Sequence, residues 1–151
     1  MEKLNKAFFR WFFASWGSFS FFAILVYGFR LYGYAPFLGL LGYATMIFLL
    51  LCALSQSSRR KHYLLVSASL MLFGAMASFD LISSKEELIG LWRDWLDADI
   101  SDPLANGLVQ SLTILLGIFC GSLASASLFY GLNIKNFPAE KDDMGGVASG
   151  E

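Results

Sequence analysis

Cysteine, histidine and charge are all scarce in this chain of 151 residues, and each scarcity argues against a class of function. The two cysteines, Cys52 and Cys120, fall inside apolar blocks, where a thiol behaves as a small hydrophobe. Neither a disulfide framework nor a CxxC motif is present. The single histidine, His62, follows Arg59, Arg60 and Lys61 and reads as a polar residue at a membrane interface. The sequence has no Ser–His–Asp constellation, no H-E-x-x-H and no phosphate-cradling glycine loop. No enzymatic activity, cofactor or metal is therefore expected. Eleven lysines and arginines are scattered along the chain, so nothing provides a basic face for nucleic acid. Charged residues make up 15% of the chain, against about a quarter in a typical soluble domain.

Apolar residues supply what charge does not. They account for 56% of the chain, and they fall in long blocks instead of amphipathic stripes. A spanning helix needs about 20 mainly apolar residues, and the chain offers four such stretches, over residues 11–29, 36–55, 63–83 and 104–132. The third is short and reaches its full length only with Asp80 at the interface. The fourth is long enough to tilt or to project beyond the bilayer. Lys3, Lys6 and Arg10 precede the first block, as they would in a signal peptide. That block is too long and too aromatic for one, and reads as an uncleaved span.

Charge sets the orientation. Lys3, Lys6 and Arg10, the loop basics Arg59, Arg60 and Lys61, and Lys135 and Lys141 of the tail would lie on one side. Arg30, Lys85 and Arg93 would lie on the other. The positive-inside rule then predicts that both termini are cytoplasmic, which an even number of spans permits. The expected fold is all-α, an integral membrane four-helix bundle in a single domain over residues 1–133. The Gly-rich, charged segment 134–151 reads as a disordered cytoplasmic tail. The layout is similar to that of many small four-pass bacterial proteins, which implies the inner membrane as location.

One sizeable loop faces away from the cytoplasm, and it contains GLWRDWLDADISDP. Ser84 and Glu87 have capping-box spacing, and Leu88, Leu91, Trp92 and Trp95 follow at helical spacing. The segment over about 85–97 is expected to be an amphipathic helix lying in the headgroup plane, with both tryptophans at their preferred depth. Asp102 and Pro103 then form an N-cap and first-position pair for the fourth span. Asp97, Asp99 and Asp102 do not make a calcium loop, because the glycine and glutamate of that motif are replaced by Asp102 and Leu108.

The candidate sites lie on the helix faces. Gln110, Thr113, Gly117, Gly121, Ala124 and Ser125 of the fourth span read as a packing or oligomer interface, with Gly117 and Gly121 forming a GxxxG pair. Ser67, Met71, Gly74 and Ser78 in the third span, and Ala35, Gly39 and Gly42 in the second, read as inner faces. The first span is bulky all round, and its narrow patch of Ala14, Ser15 and Ser18 is expected to meet its neighbours. Arg30 and Asp80 are a candidate ion pair near the outer leaflet, and Arg59, Arg60 and Lys61 a cytoplasmic docking or lipid-contact cluster. These features imply a non-enzymatic membrane protein that self-associates and serves as anchor or sensor for a cytosolic partner protein. The alternative is an oligomeric channel lined by the small, polar face of the fourth span.

Overall fold

A computed structural model of the chain describes residues 2–28, 37–96 and 101–137. Every regular element among them is helical: α1 (Glu2–Ala23), extended by one π-helical turn (Ile24–Gly28), α2 (Phe37–Ser55), α3 (Arg60–Ser83), α4 (Lys85–Leu96) and α5 (Asp102–Leu132). Four helices are long and apolar enough to cross a membrane, those built on α1, α2, α3 and α5. α1 begins at Glu2, well before the expected start at residue 11, and α3 at Arg60, slightly before residue 63. Hydropathy marks where side chains become apolar, whereas the backbone turns helical wherever capping and propensity allow, including in polar flanks.

α1 packs against α2, and α3 against α5, while α2 and α3 join the two pairs. Three glycines set how closely these helices approach. A Cβ built on Gly42 would lie 2.9 Å from Phe22, one on Gly74 would lie 2.9 Å from Cys120, and one on Gly131 would lie 2.9 Å from Tyr63. Real Cβ atoms essentially never come so close, so a side chain at any of these crossings would force its neighbours to shift. The α3–α5 pair is tied further by the Ser67 hydroxyl, which donates to the carbonyl of Ala124 at 2.8 Å. Between apolar helices in lipid, close backbone approach and such cross-helix bonds supply the attraction that water would otherwise drive.

The core runs through all four long helices, with Phe8, Met46, Leu50, Leu70, Phe73 and Cys120 fully or almost fully buried. Phe13, Phe48, Phe79, Leu115, Ile118 and Phe129 point outward instead. On a soluble domain this much exposed apolar surface would be a liability. On helices of membrane length it is a surface suited to lipid.

Four local expectations are corrected. α1 meets its neighbours through aromatic rings as well as small residues: Ser15 is buried, but Ala14 is exposed, and Phe8, Phe12, Trp16 and Phe19 carry the contact. A ring face buries more area than a serine patch, and Trp16 also finds a polar partner, its Nε1 donating to Ser69 at 3.2 Å. The capping box at Ser84 and Glu87 does not form. Instead α3 runs almost directly into α4, the Ser84 amide bonding to Asp80 and its carbonyl accepting from Leu88, which satisfies the backbone without a side-chain cap. The N-cap of α5 is Ser101, and Asp102 sits inside the first turn, where its carboxylate pairs with Arg93 of α4. The first residues of the expected disordered tail are ordered: a 3-10 turn spans Ile134–Asn136, and Phe137 is buried against Tyr63 and Tyr130. An aromatic ring beside two further rings has area to bury, and that area offsets the ordering of a short segment.

Candidate functional site

The expected face of α5 divides in two. Ala124 is buried against Ser67, in a seam that continues through Cys120, Ser127 and Gly131. Gly117, Gly121, Gln110 and Ser125 are exposed on another side of the helix, and Thr113 is half-buried with its hydroxyl returned to the carbonyl of Val109. A Cβ placed on Gly117 or Gly121 meets nothing within 4 Å. Of the residues expected on one face, only Ala124 lies in the seam with α3. Positions 120, 124, 127 and 131 have helical spacing too, but small residues recur on almost every side of this helix, so spacing alone did not separate them.

At one end of the open face a groove of about 310 Å³ is lined by Lys85, Asn106, Gln110 and Thr113 together with Ile82, Val109 and Ile114. The Asn106 side-chain carbonyl oxygen is buried there without a hydrogen-bond partner among the described residues.

α4 docks onto the same end. Leu88 is buried in the main core, and Ile89 packs with Ala105 and Val109 of α5. Glu86, Glu87 and Asp94 are exposed. The side chains of Leu91, Trp92 and Trp95, expected to anchor this helix in the headgroups, lie outside the described residues.

A second cavity, of about 220 Å³, opens between α1, α2 and α3 near the α4 end of the bundle. Phe19, Phe22, Val26, Met76 and Phe79 form much of its wall, and Tyr43 and Asp80 its polar end. The Tyr43 hydroxyl donates to Oδ2 of Asp80, while the tyrosine ring sits edge-on to Phe73 with centroids 5.9 Å apart. Arg30, the partner expected for Asp80, lies outside the described residues. Tyr43 gave no signal in the sequence, because a tyrosine inside an apolar span reads as one more aromatic.

At the opposite end of the bundle His62 is buried and stacked on Phe8, with ring centroids 3.9 Å apart. Its Nδ1 accepts from the amide of Ser58 at 3.4 Å, so the proton belongs on Nε2, which lies 2.8 Å from Oδ1 of Asn5. The ring thus joins α1 to the start of α3 and to the turn before it. Of the basic cluster beside it, Arg59 and Lys61 are exposed, whereas Arg60 donates through Nε to the carbonyl of Gly131 at 3.0 Å. Arg60 therefore closes the last turn of α5, where orphan carbonyls favour a cation.

Comparison with protein-family models, curated proteins and solved structures gives no match. The functional reading therefore rests on this chain's own geometry.

Proposed function

We propose that this chain is a non-enzymatic membrane subunit that self-associates through the open face of α5 and serves as anchor or sensor for a cytosolic partner protein. The supporting observation is the contrast among its glycines. Gly42, Gly74 and Gly131 each mark a close helix crossing, whereas Gly117 and Gly121 lie one turn apart on α5 with nothing within 4 Å of a Cβ built on either. A second copy laid on that face would gain the same close approach and would offer partners to Gln110 and Asn106.

The proposed orientation places the turn before α3, with exposed Arg59 and Lys61, on the cytoplasmic side together with both termini. α4 would then lie in the outer headgroup region. The proposed location is a bacterial inner membrane, on the four-pass layout alone. Sensing would begin at α4. Its contacts with Ala105 and Val109 and its pairing with Asp102 lead directly to the polar corner of the open face.

The second reading is a channel in which the same face lines the conduit, favoured by the polar groove of Lys85, Asn106, Gln110 and Thr113. One experiment separates the two. Native mass spectrometry is run on the protein and on its Gly117→Leu, Gly121→Leu double variant, with ion flux measured in proteoliposomes. Self-association through α5 predicts an oligomer that becomes monomeric in the variant. A channel predicts a persistent oligomer with altered flux. A monomeric parent protein would sink both.

A further inference from the structure

We propose that the groove between the α3–α4 junction and α5 seats one glycerophospholipid with a zwitterionic head, its phosphate on Lys85 and its ammonium toward the exposed carboxylates of α4. The assignment rests on the membrane placement of α3 and α5 and not on self-association.

Depth comes first. Lys85 opens α4 two residues after α3 ends at Ser83, so it stands where a membrane-length helix has just finished. From Asn106 to Thr113, at 1.5 Å per residue, the α5 wall of the groove runs inward by about 10 Å. One headgroup layer of a bilayer is about 5–8 Å thick. The groove therefore begins among the headgroups and ends in the first part of the hydrocarbon. Ile82 and Ile114 share its lining and are exposed, so the way from it to the lipid tails is open.

The donors select a phosphate. Lys85 is half-buried, and among the described residues no ion pair or hydrogen bond occupies its ammonium. Asn106 keeps its oxygen buried, which leaves its amide nitrogen to meet a ligand. Gln110 is exposed and adds a second amide. Thr113 adds no donor, because its hydroxyl already donates to the carbonyl of Val109. An ammonium beside amide N–H groups suits an oxyanion, and hydrogen bonds with a charged partner are the strong ones. Each amide has two N–H donors, so a lipid here does not exclude a second copy.

Size and surrounding charge select the rest of the molecule. A free phosphate is a few times the size of a water, which takes about 30 Å³ in the liquid. It would leave most of a groove of about 310 Å³ empty, whereas the glycerol and ester groups of a lipid fill it. Glu86 and Glu87 directly follow Lys85, and Asp94 lies on the same helix; all three are exposed. These carboxylates oppose an anionic head and favour one that carries an ammonium beyond its phosphate.

The test is native mass spectrometry of the full chain in a mild non-ionic detergent, counting bound probe per chain. The probes are phosphatidylethanolamine, phosphatidylglycerol, diacylglycerol with the same tails, and inorganic phosphate. Phosphatidylethanolamine is expected to saturate at one per chain, with the other two lipids at least fivefold weaker and inorganic phosphate not retained. Lys85→Met is expected to weaken phosphatidylethanolamine by about fivefold or more, and Lys85→Arg to retain it. Gln110→Leu, at an exposed position that folding does not depend on, is expected to weaken it at least twofold. Lys135→Met, at an exposed lysine beyond the other end of α5, is expected to change nothing. Adducts are counted on monomer and oligomer peaks alike, so loss of the oligomer would sink self-association and leave this measurement standing. The proposal is overturned if no lipid saturates, if phosphatidylglycerol or diacylglycerol binds as tightly as phosphatidylethanolamine, if inorganic phosphate alone is retained, or if Lys85→Met and Gln110→Leu both keep full affinity.

Discussion

The hydroxyl of Ser67 on α3 donates to the main-chain carbonyl of Ala124 on α5 at 2.8 Å. Such a bond is possible only because the two backbones lie almost in contact, and Gly74 opposite Cys120 is what lets them do so. Gly74→Val is therefore expected to destabilise the bundle by about 1–3 kcal/mol through overpacking. The same change at Gly117, where a Cβ meets nothing, is expected to shift monomer stability by less than about 0.5 kcal/mol. Denaturant-induced unfolding in mixed micelles compares the two. Equal losses at both glycines would mean that the α5 seam is misassigned.

His62 supports the other end of the molecule. It stacks on Phe8, accepts from the amide of Ser58 and bonds Asn5. His62→Phe preserves the stacking surface but takes the imidazole away from both polar partners. A loss of about 0.5–1.5 kcal/mol is expected for each hydrogen bond so removed, together with faster amide exchange at Ser58. Asn5→Ala is expected to cost less, since it leaves the Ser58 bond intact. Hydrogen exchange read by mass spectrometry over the turn 56–59 checks the order of these effects.

The four membrane-length helices were legible because an apolar run near 20 residues long is rarely anything but a spanning helix. Their neighbours were not, because in a helix as rich in small residues as α5 several faces satisfy the same spacing. The seam at Cys120, Ala124, Ser127 and Gly131 is set by what α3 presents, namely Tyr63, Ser67 and Gly74, and no single-helix pattern contains that information. The cap at Ser84 was read locally and lost to a non-local fact. Leu88 and Ile89 are drawn into the bundle, so the chain needs a near-continuous helix there and not a fresh start. Likewise Tyr43 became a site residue only when α2 brought it to Asp80.

Orientation has a direct test. Ser58 and Gly90 are both exposed, and a Cβ on Gly90 meets nothing within 4 Å. In a background with Cys52→Ser and Cys120→Ala, Ser58→Cys is expected to resist a membrane-impermeant maleimide in intact cells. Gly90→Cys is expected to react. The reverse pattern would invert the proposed topology and place α4 on the cytoplasmic side.

The Arg93–Asp102 pair joins the last turn of α4 to the first turn of α5, and both side chains are substantially solvated. An exposed pair of this kind contributes less than about 1 kcal/mol to global stability. Arg93→Ala is accordingly expected to leave unfolding nearly unchanged. Its effect should be local, because among the described residues α4 also holds α5 through the small cluster of Ile89 with Ala105 and Val109. A spin label at Gly90 is expected to gain mobility in Arg93→Ala and to regain order in the charge-swapped Arg93→Asp, Asp102→Arg variant. If α4 is the sensing element, the same loosening should shift the oligomer distribution that depends on Gly117 and Gly121. A freely mobile α4 with an unaltered oligomer would separate the two, leaving α5 association intact and removing α4 from its control.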